Sequence, residues 1–177
     1  MKMLAEKQLR NFNDKEQIVL FQYMKSEEIR EKLLPLQAIS WANKNCKELS
    51  DIGDTMLAEN KERIPPYDQL DGATLYKKIS DAQHEYMGKY ADSGICTKCK
   101  KSTQNISKAA KGKMYLIDAL FFYIYACTGL CIDCQVEFLH ENLKERTAEI
   151  DDKTINMFRQ NFPTEKARTN FLDKIIH

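Results

Sequence analysis

Ser93-Gly94-Ile95-Cys96-Thr97-Lys98-Cys99 and Thr128-Gly129-Leu130-Cys131-Ile132-Asp133-Cys134 each carry a Cys-x-x-Cys pair, and 31 residues lie between Cys99 and Cys131. A Cys-x-x-Cys knuckle lets two thiolates from one tight turn reach the same tetrahedral ion, and two knuckles complete the closed four-cysteine site typical of structural zinc. Gly94 and Gly129 stand just upstream of the pairs and ease entry into each turn. The second pair runs into a helix expected to start near Cys134, where the helix N-terminus favours thiolate over thiol. Cys96, Cys99, Cys131 and Cys134 are therefore the expected ligands of one structural Zn²⁺. The same four thiolates also suit an iron–sulfur cluster. A thioredoxin-like redox pair needs a strand before the motif in a βαβ setting, and the flanks lack one.

The spacer exceeds the roughly fifteen to twenty residues of a simple zinc ribbon, so it must carry structure of its own. Met114 to Cys127, MYLIDALFFYIYAC, supplies it. The FFYIY run has strand propensity. However, no Gly, Pro or Asn lies between Gly112 and Gly129 to turn a hairpin. The segment reads as a buried helix with Gly129 as its C-terminal stop. It falls short of the roughly twenty apolar residues of a membrane span. Of the other two cysteines, Cys46 sits on the apolar stripe of a helix and Cys127 lies four residues before Cys131; both read as small core side chains. His140, on the helix after Cys134, reads as a surface or capping residue.

Outward from the site the chain reads as helix after helix. Residues 3–12 form a short candidate, and Asn13 or Asp14 is placed to cap the next helix, KEQIVLFQYMK. Ser26, followed by Glu27 and Glu28, marks another start, with acids near the positive end of the helix dipole. Pro35 is expected to end or kink that helix. A helix over residues 36–49 follows, and Ser50 or Asp51 is placed to cap one more. The Pro65-Pro66 break divides an N-terminal helical region, 1–64, from a zinc-binding helical region, 65–177. Within the latter, Thr74 is a candidate cap for a helix that stops at Ser93-Gly94, and the four-cysteine module occupies about 94–146. Two short helices divided at Pro163 close the sequence. The expected fold is mainly α: a helical, bundle-like domain with an inserted zinc-knuckle module and a short β-hairpin at the knuckles.

The 177 residues suit one domain of ordinary size. Net charge is +1, so no global field draws the chain to nucleic acid or membrane. Charge is nonetheless segregated. Between Asp92 and Asp118 there is no acid, while Lys98, Lys100, Lys101, Lys108, Lys111 and Lys113 contribute six positive charges, leaving the remaining residues near −5. Ser, Thr, Asn and Gln are interleaved with them, the residue types that donate to phosphates. Lysines without arginine lack the fork that reads bases, so this segment implies backbone contact without sequence readout.

No catalytic set accompanies the cysteines. Four thiolates close the metal shell that a catalytic zinc keeps open, and the zinc-deaminase pattern is missing. No Gly-rich phosphate loop is present. Residues 1–17 lack the apolar stretch of a secretory signal, and together with the paired thiols this places the chain in a reducing, cytoplasmic (intracellular) compartment. The expected function is a non-enzymatic zinc-binding regulator of transcription or another nucleic-acid process, with the lysine segment on phosphates and the helical half on a protein partner. The alternative is a helical protein-interaction adaptor whose zinc is purely structural. The order knuckle, spacer, knuckle, helix is generic among zinc modules of transcription factors and is an analogy only.

Overall fold

The computed structural model describes residues 9–60, 69–103, 106 and 115–172. The expected first helix, at 3–12, lies mostly outside them. Helix α1, Asp14–Lys25, begins with a reciprocal cap: the Asn13 side chain accepts the Glu16 N–H at 2.9 Å, and the Glu16 carboxylate accepts the Asn13 N–H at 3.1 Å. Ile18, Val19, Leu20, Phe21, Tyr23 and Met24 are all buried, so nearly the whole circumference of α1 is covered.

The Ser26 hydroxyl accepts the Ile29 N–H at 3.3 Å and starts the next helical run. Ile29–Leu33 forms a π turn, in which the Leu34 N–H reaches the Ile29 carbonyl, and α2, Leu34–Asn45, continues from it. Pro35 therefore does not end the helix. Its missing N–H and bulky ring fall immediately after a widened turn, which absorbs the mismatch that a proline imposes on regular i→i−4 bonding. The helix breaks instead at Cys46, where the backbone is extended (φ −93°, ψ 115°). The helix expected over 36–49 is thus divided, and α3 runs Lys47–Asn60, ahead of the expected cap at Ser50 or Asp51.

Helix α4, Gln69–Ser93, starts before Thr74 and stops at the expected place. Helix α5, Leu116–Thr128, confirms the helical reading of the apolar spacer; Ile117, Ala119, Leu120, Phe121, Ile124 and Tyr125 are buried along it. It lies centrally, packing on α1, the π turn, α2, α4 and α6, the last of these being Ile132–Thr147. Two short helices follow: α7, Asp152–Asn161, capped by Asp151, and α8, Glu165–Leu172. Arg159 and Arg168 both reach Asp14, at 2.7 and 2.8 Å, and clasp the end of the described chain to its beginning. The hydrogen bond from Arg159 leads in holding the Asp14 carboxyl below its usual range.

The protein is mainly helical. Among the described residues there is no strand, and the hairpin expected at the knuckles reduces to an isolated antiparallel bridge between Ile95 and Ser102. One hydrophobic cluster draws Leu20, Leu34, Trp41 and Leu49 from before residue 64 and Met87, Leu120, Phe138 and Leu143 from after it. No single helix among the described residues is long and apolar enough to cross a membrane.

Candidate metal centre

The first knuckle leaves the end of α4 through Gly94 (φ 70°), with the Cys96 N–H donating to the Lys101 carbonyl at 2.7 Å and the Lys100 N–H to the Cys96 carbonyl at 3.0 Å. Lys100 takes the left-handed conformation (φ 63°) that closes the turn, a position where glycine is the usual choice. The second knuckle begins at Gly129 (φ 66°), the C-cap of α5. The chain then turns by 100° into α6, with Cys131 as the α6 N-cap and Cys134 in its first turn.

Threonine joins the two. Thr97, fully buried, donates its backbone N–H to the Gly129 carbonyl at 3.1 Å and its hydroxyl to the Thr128 carbonyl at 2.7 Å. The Tyr125 hydroxyl adds a second tie, donating to the Ala91 carbonyl at 2.8 Å. The Gln135 amide caps the corner from beneath through the Leu130 carbonyl at 2.9 Å.

These ties bring the four expected ligands together. The sulfurs of Cys96, Cys99, Cys131 and Cys134 all lie within 4.8 Å of one another. Cys96 and Cys134 are 3.7 Å apart and Cys99 and Cys131 are 3.5 Å apart. A tetrahedron with zinc–sulfur arms of about 2.3 Å has edges of about 3.8 Å, so the spacing suits four thiolates on one ion. It is far too long for a disulfide of about 2.05 Å, and all six cysteines are free. The Cys131 N–H points at the Cys96 sulfur at 3.2 Å, the sulfur-directed amide bond that a knuckle provides.

Electrostatics in the cluster are lopsided. Hydrogen bonds from the Cys131 and Cys134 thiols, with the Cys131 and Cys99 backbone N–H groups, hold the Cys96 thiol far below its ordinary range. For Cys134, hydrogen bonding with Cys131 and then Cys96, followed by burial, pushes its thiol strongly up. For Cys131, the bond with Cys134 is lowering but is outweighed by Cys96 and burial, which leave it at about 12. Protein groups alone thus favour the thiolate at Cys96 and the thiol at Cys131 and Cys134, an imbalance that a bound cation would offset.

The remaining candidates fall away from this centre. Cys46 is buried (1% exposed), with burial raising its thiol to about 12, and Cys127 is half-buried on α5; neither joins the cluster. His140 pairs with Glu16 at 2.6 Å. Among the lysines, Lys98 grips both oxygens of Glu137 at 2.6 and 2.7 Å and lies 5.2 Å over the Trp41 ring. Lys100 donates to the Thr97 carbonyl at 2.6 Å and the Tyr86 hydroxyl at 3.1 Å, sits 3.8 Å over the Tyr90 ring, and is 3.5 Å from Glu48. Lys101 is 72% exposed, with Asp133 at 3.9 Å. Lys108, Lys111 and Lys113 lie outside the described residues. Glu48, Glu137 and the three aromatic rings were invisible as partners in the sequence, because they come from α2, α3, α4 and α6.

The contact between knuckles yields a sharp expectation. A Cβ added at Gly129 would stand 2.6 Å from the Thr97 hydroxyl and 3.1 Å from the Met87 carbonyl, in a backbone conformation L residues rarely adopt. Strain and overpacking together put the cost of Gly129→Ala at about 3 kcal/mol. Denaturant unfolding measures it, and a loss under about 1 kcal/mol would show that the corner is slack. The chain matches no protein-family model, no curated protein and no solved structure.

Proposed function

We propose that the chain is a non-enzymatic, zinc-stabilised helical interaction domain working in a reducing, intracellular compartment. The observation that carries this is the set of four sulfurs spaced like the corners of one tetrahedron. A multi-iron cluster spreads its thiolates over several metal atoms, so a set this tight favours a single ion, and four thiolates on a single ion favour zinc. When bound, the ion supplies the positive charge that keeps all four sulfurs ionised. Four cysteine ligands leave it no open position for substrate, which supports a structural role. Elemental analysis of native protein is expected to give one zinc per chain; iron with visible absorbance would reverse the assignment.

The adaptor reading gains support from Lys98 and Lys100, whose ammonium groups are spent on carboxylates, carbonyls and rings of the protein itself. The nucleic-acid reading, a regulator touching phosphate backbone, draws on the acid-free run from 93 to 117 and on Lys101, which projects into solvent. One titration divides them. If phosphate contact is the function, affinity for duplex DNA or RNA falls steeply with salt, and Lys101→Glu lowers it for all sequences alike. If the adaptor reading holds, wild type and variant show no salt-dependent binding. Lys101 is the right residue to change, because reversing Lys98 or Lys100 would also set two acids against each other inside the fold.

A further inference from the structure

The four sulfurs differ in access. Cys99 is exposed, whereas Cys96, Cys131 and Cys134 are 0%, 6% and 5% exposed. The sulfur facing Cys99 at 3.5 Å belongs to Cys131, on the other knuckle, and the 3.7 Å contact of Cys96 with Cys134 also runs between knuckles. We propose that Cys99 is a peroxide-reactive modification site with Cys131 as its resolving partner, so that oxidation discharges the metal and leaves a disulfide across the two knuckles. The proposal rests on the metal reading above.

The chemistry needs only a hydroperoxide as oxidant. Cys99 is the one exposed residue of the four, and as a ligand its sulfur would already be a thiolate, the reactive form. Its sulfur attacks the peroxide: an S–O bond forms, the O–O bond breaks, and hydroxide (or alkoxide) leaves and takes a proton from water. Cys99 is oxidised by two electrons to a sulfenic acid, and the peroxide is reduced by two. The Cys131 thiolate then attacks the Cys99 sulfur. An S–S bond forms, the S–O bond breaks, and a second hydroxide leaves to be protonated. From 3.5 Å to a disulfide of about 2.05 Å the sulfurs close by about 1.5 Å. Two ligands are then consumed, and Cys96 with Cys134 is too small a set to retain the ion.

The geometry also sets what survives. A disulfide inside one knuckle would leave the two segments without any covalent or metal link, joined by the Thr97 and Tyr125 hydrogen bonds and the Lys98–Glu137 pair. A Cys99–Cys131 bond instead ties the exit of α4 to the start of α6, as the metal does. The helical fold therefore outlasts metal loss, and a thiol reductant reverses the reaction.

The test uses the full chain loaded with zinc. Hydrogen peroxide is added in steps, zinc release is followed with a chromophoric chelator, and quenched samples are alkylated and peptide-mapped. The expected result is loss of one zinc for each first-formed disulfide, mapping to Cys99–Cys131, with far-UV circular dichroism unchanged and zinc uptake restored by dithiothreitol. Zinc retained under peroxide, or a first disulfide within a knuckle or through Cys46 or Cys127, overturns the proposal and leaves the metal reading standing. Protein purified without zinc overturns the metal reading, and mapping of the peroxide-treated protein then upholds or overturns the Cys99–Cys131 pairing by itself.

Discussion

Cys134→Ser is expected to abolish zinc binding and to lower the unfolding free energy by several kcal/mol, a larger loss than Cys99→Ser produces. Structural zinc contributes about 10–16 kcal/mol of apparent binding energy in small modules that have no other core. Here only part of that should appear, because α4, α5 and α6 also share a hydrophobic cluster with α1 and α2. The ordering of the two variants follows from burial. Cys134 is 5% exposed in the first turn of α6, so a serine there buries a hydroxyl beside the Cys96 sulfur and away from water. Cys99 is exposed, so its replacement stays hydrated and water can complete a weaker shell of three thiolates. Metal content and denaturant unfolding of both variants check the claim. Equal losses, or a Cys134→Ser protein with wild-type stability, would show that the ion does not hold the corner.

Leu120→Asp should unfold the protein outright. Leu120 is fully buried at the centre of α5, the helix that touches five neighbouring segments. Losing its burial costs about 1.5–3 kcal/mol. Desolvating a carboxyl group adds several more, and together they rival the roughly 5–15 kcal/mol that holds an ordinary domain together. Leu36→Asp on α2 is the matched control: Leu36 is 63% exposed, and its substitution is expected to stay within about 0.5 kcal/mol. Circular dichroism and gel filtration of the pair suffice. A folded Leu120→Asp protein that loses only association with a membrane or partner would make α5 a surface.

How much of this was legible in the residues depends on how far apart the interacting parts lie. The clustering of the four cysteines was readable because Cys-x-x-Cys is a local signal, and both knuckles declare themselves within four residues. The helical state of 116–128 was readable for a related reason: between Gly112 and Gly129 there is no Gly, Pro or Asn to turn a hairpin, and Gly129 supplies the stop. The fates of Lys98 and Lys100 were not readable. Their partners Glu137, Trp41, Glu48, Tyr86 and Tyr90 arrive from other helices, and no periodicity links them to the lysine run. The ending allowed for at Pro35 does not occur, and a break not expected at Cys46 does. Proline's rule assumes a regular helix, and the π turn ahead of it suspends that assumption. Cys46 offers no breaker chemistry of its own; the extended backbone there lets α3 fold back to pack on both α2 and α4. Thr97 carried no signal beyond its place inside a knuckle, yet it is the residue that stitches one knuckle to the other.

The corner at Gly129 also implies an order of assembly. The α5–Gly129–α6 elbow joins neighbours in sequence, so it can nucleate from short-range encounters alone. Cys96 must be carried back to Cys131 across a sequence separation of 35, a loop closure that costs the chain about 3 kcal/mol of entropy before any sulfur meets its partner. Docking of α4 on α5 brings the ends together and removes that cost in advance. On the metal reading, an ion would enter a corner already shaped by the helices: a late latch on the folding pathway, whose principal kinetic effect would be to slow unfolding.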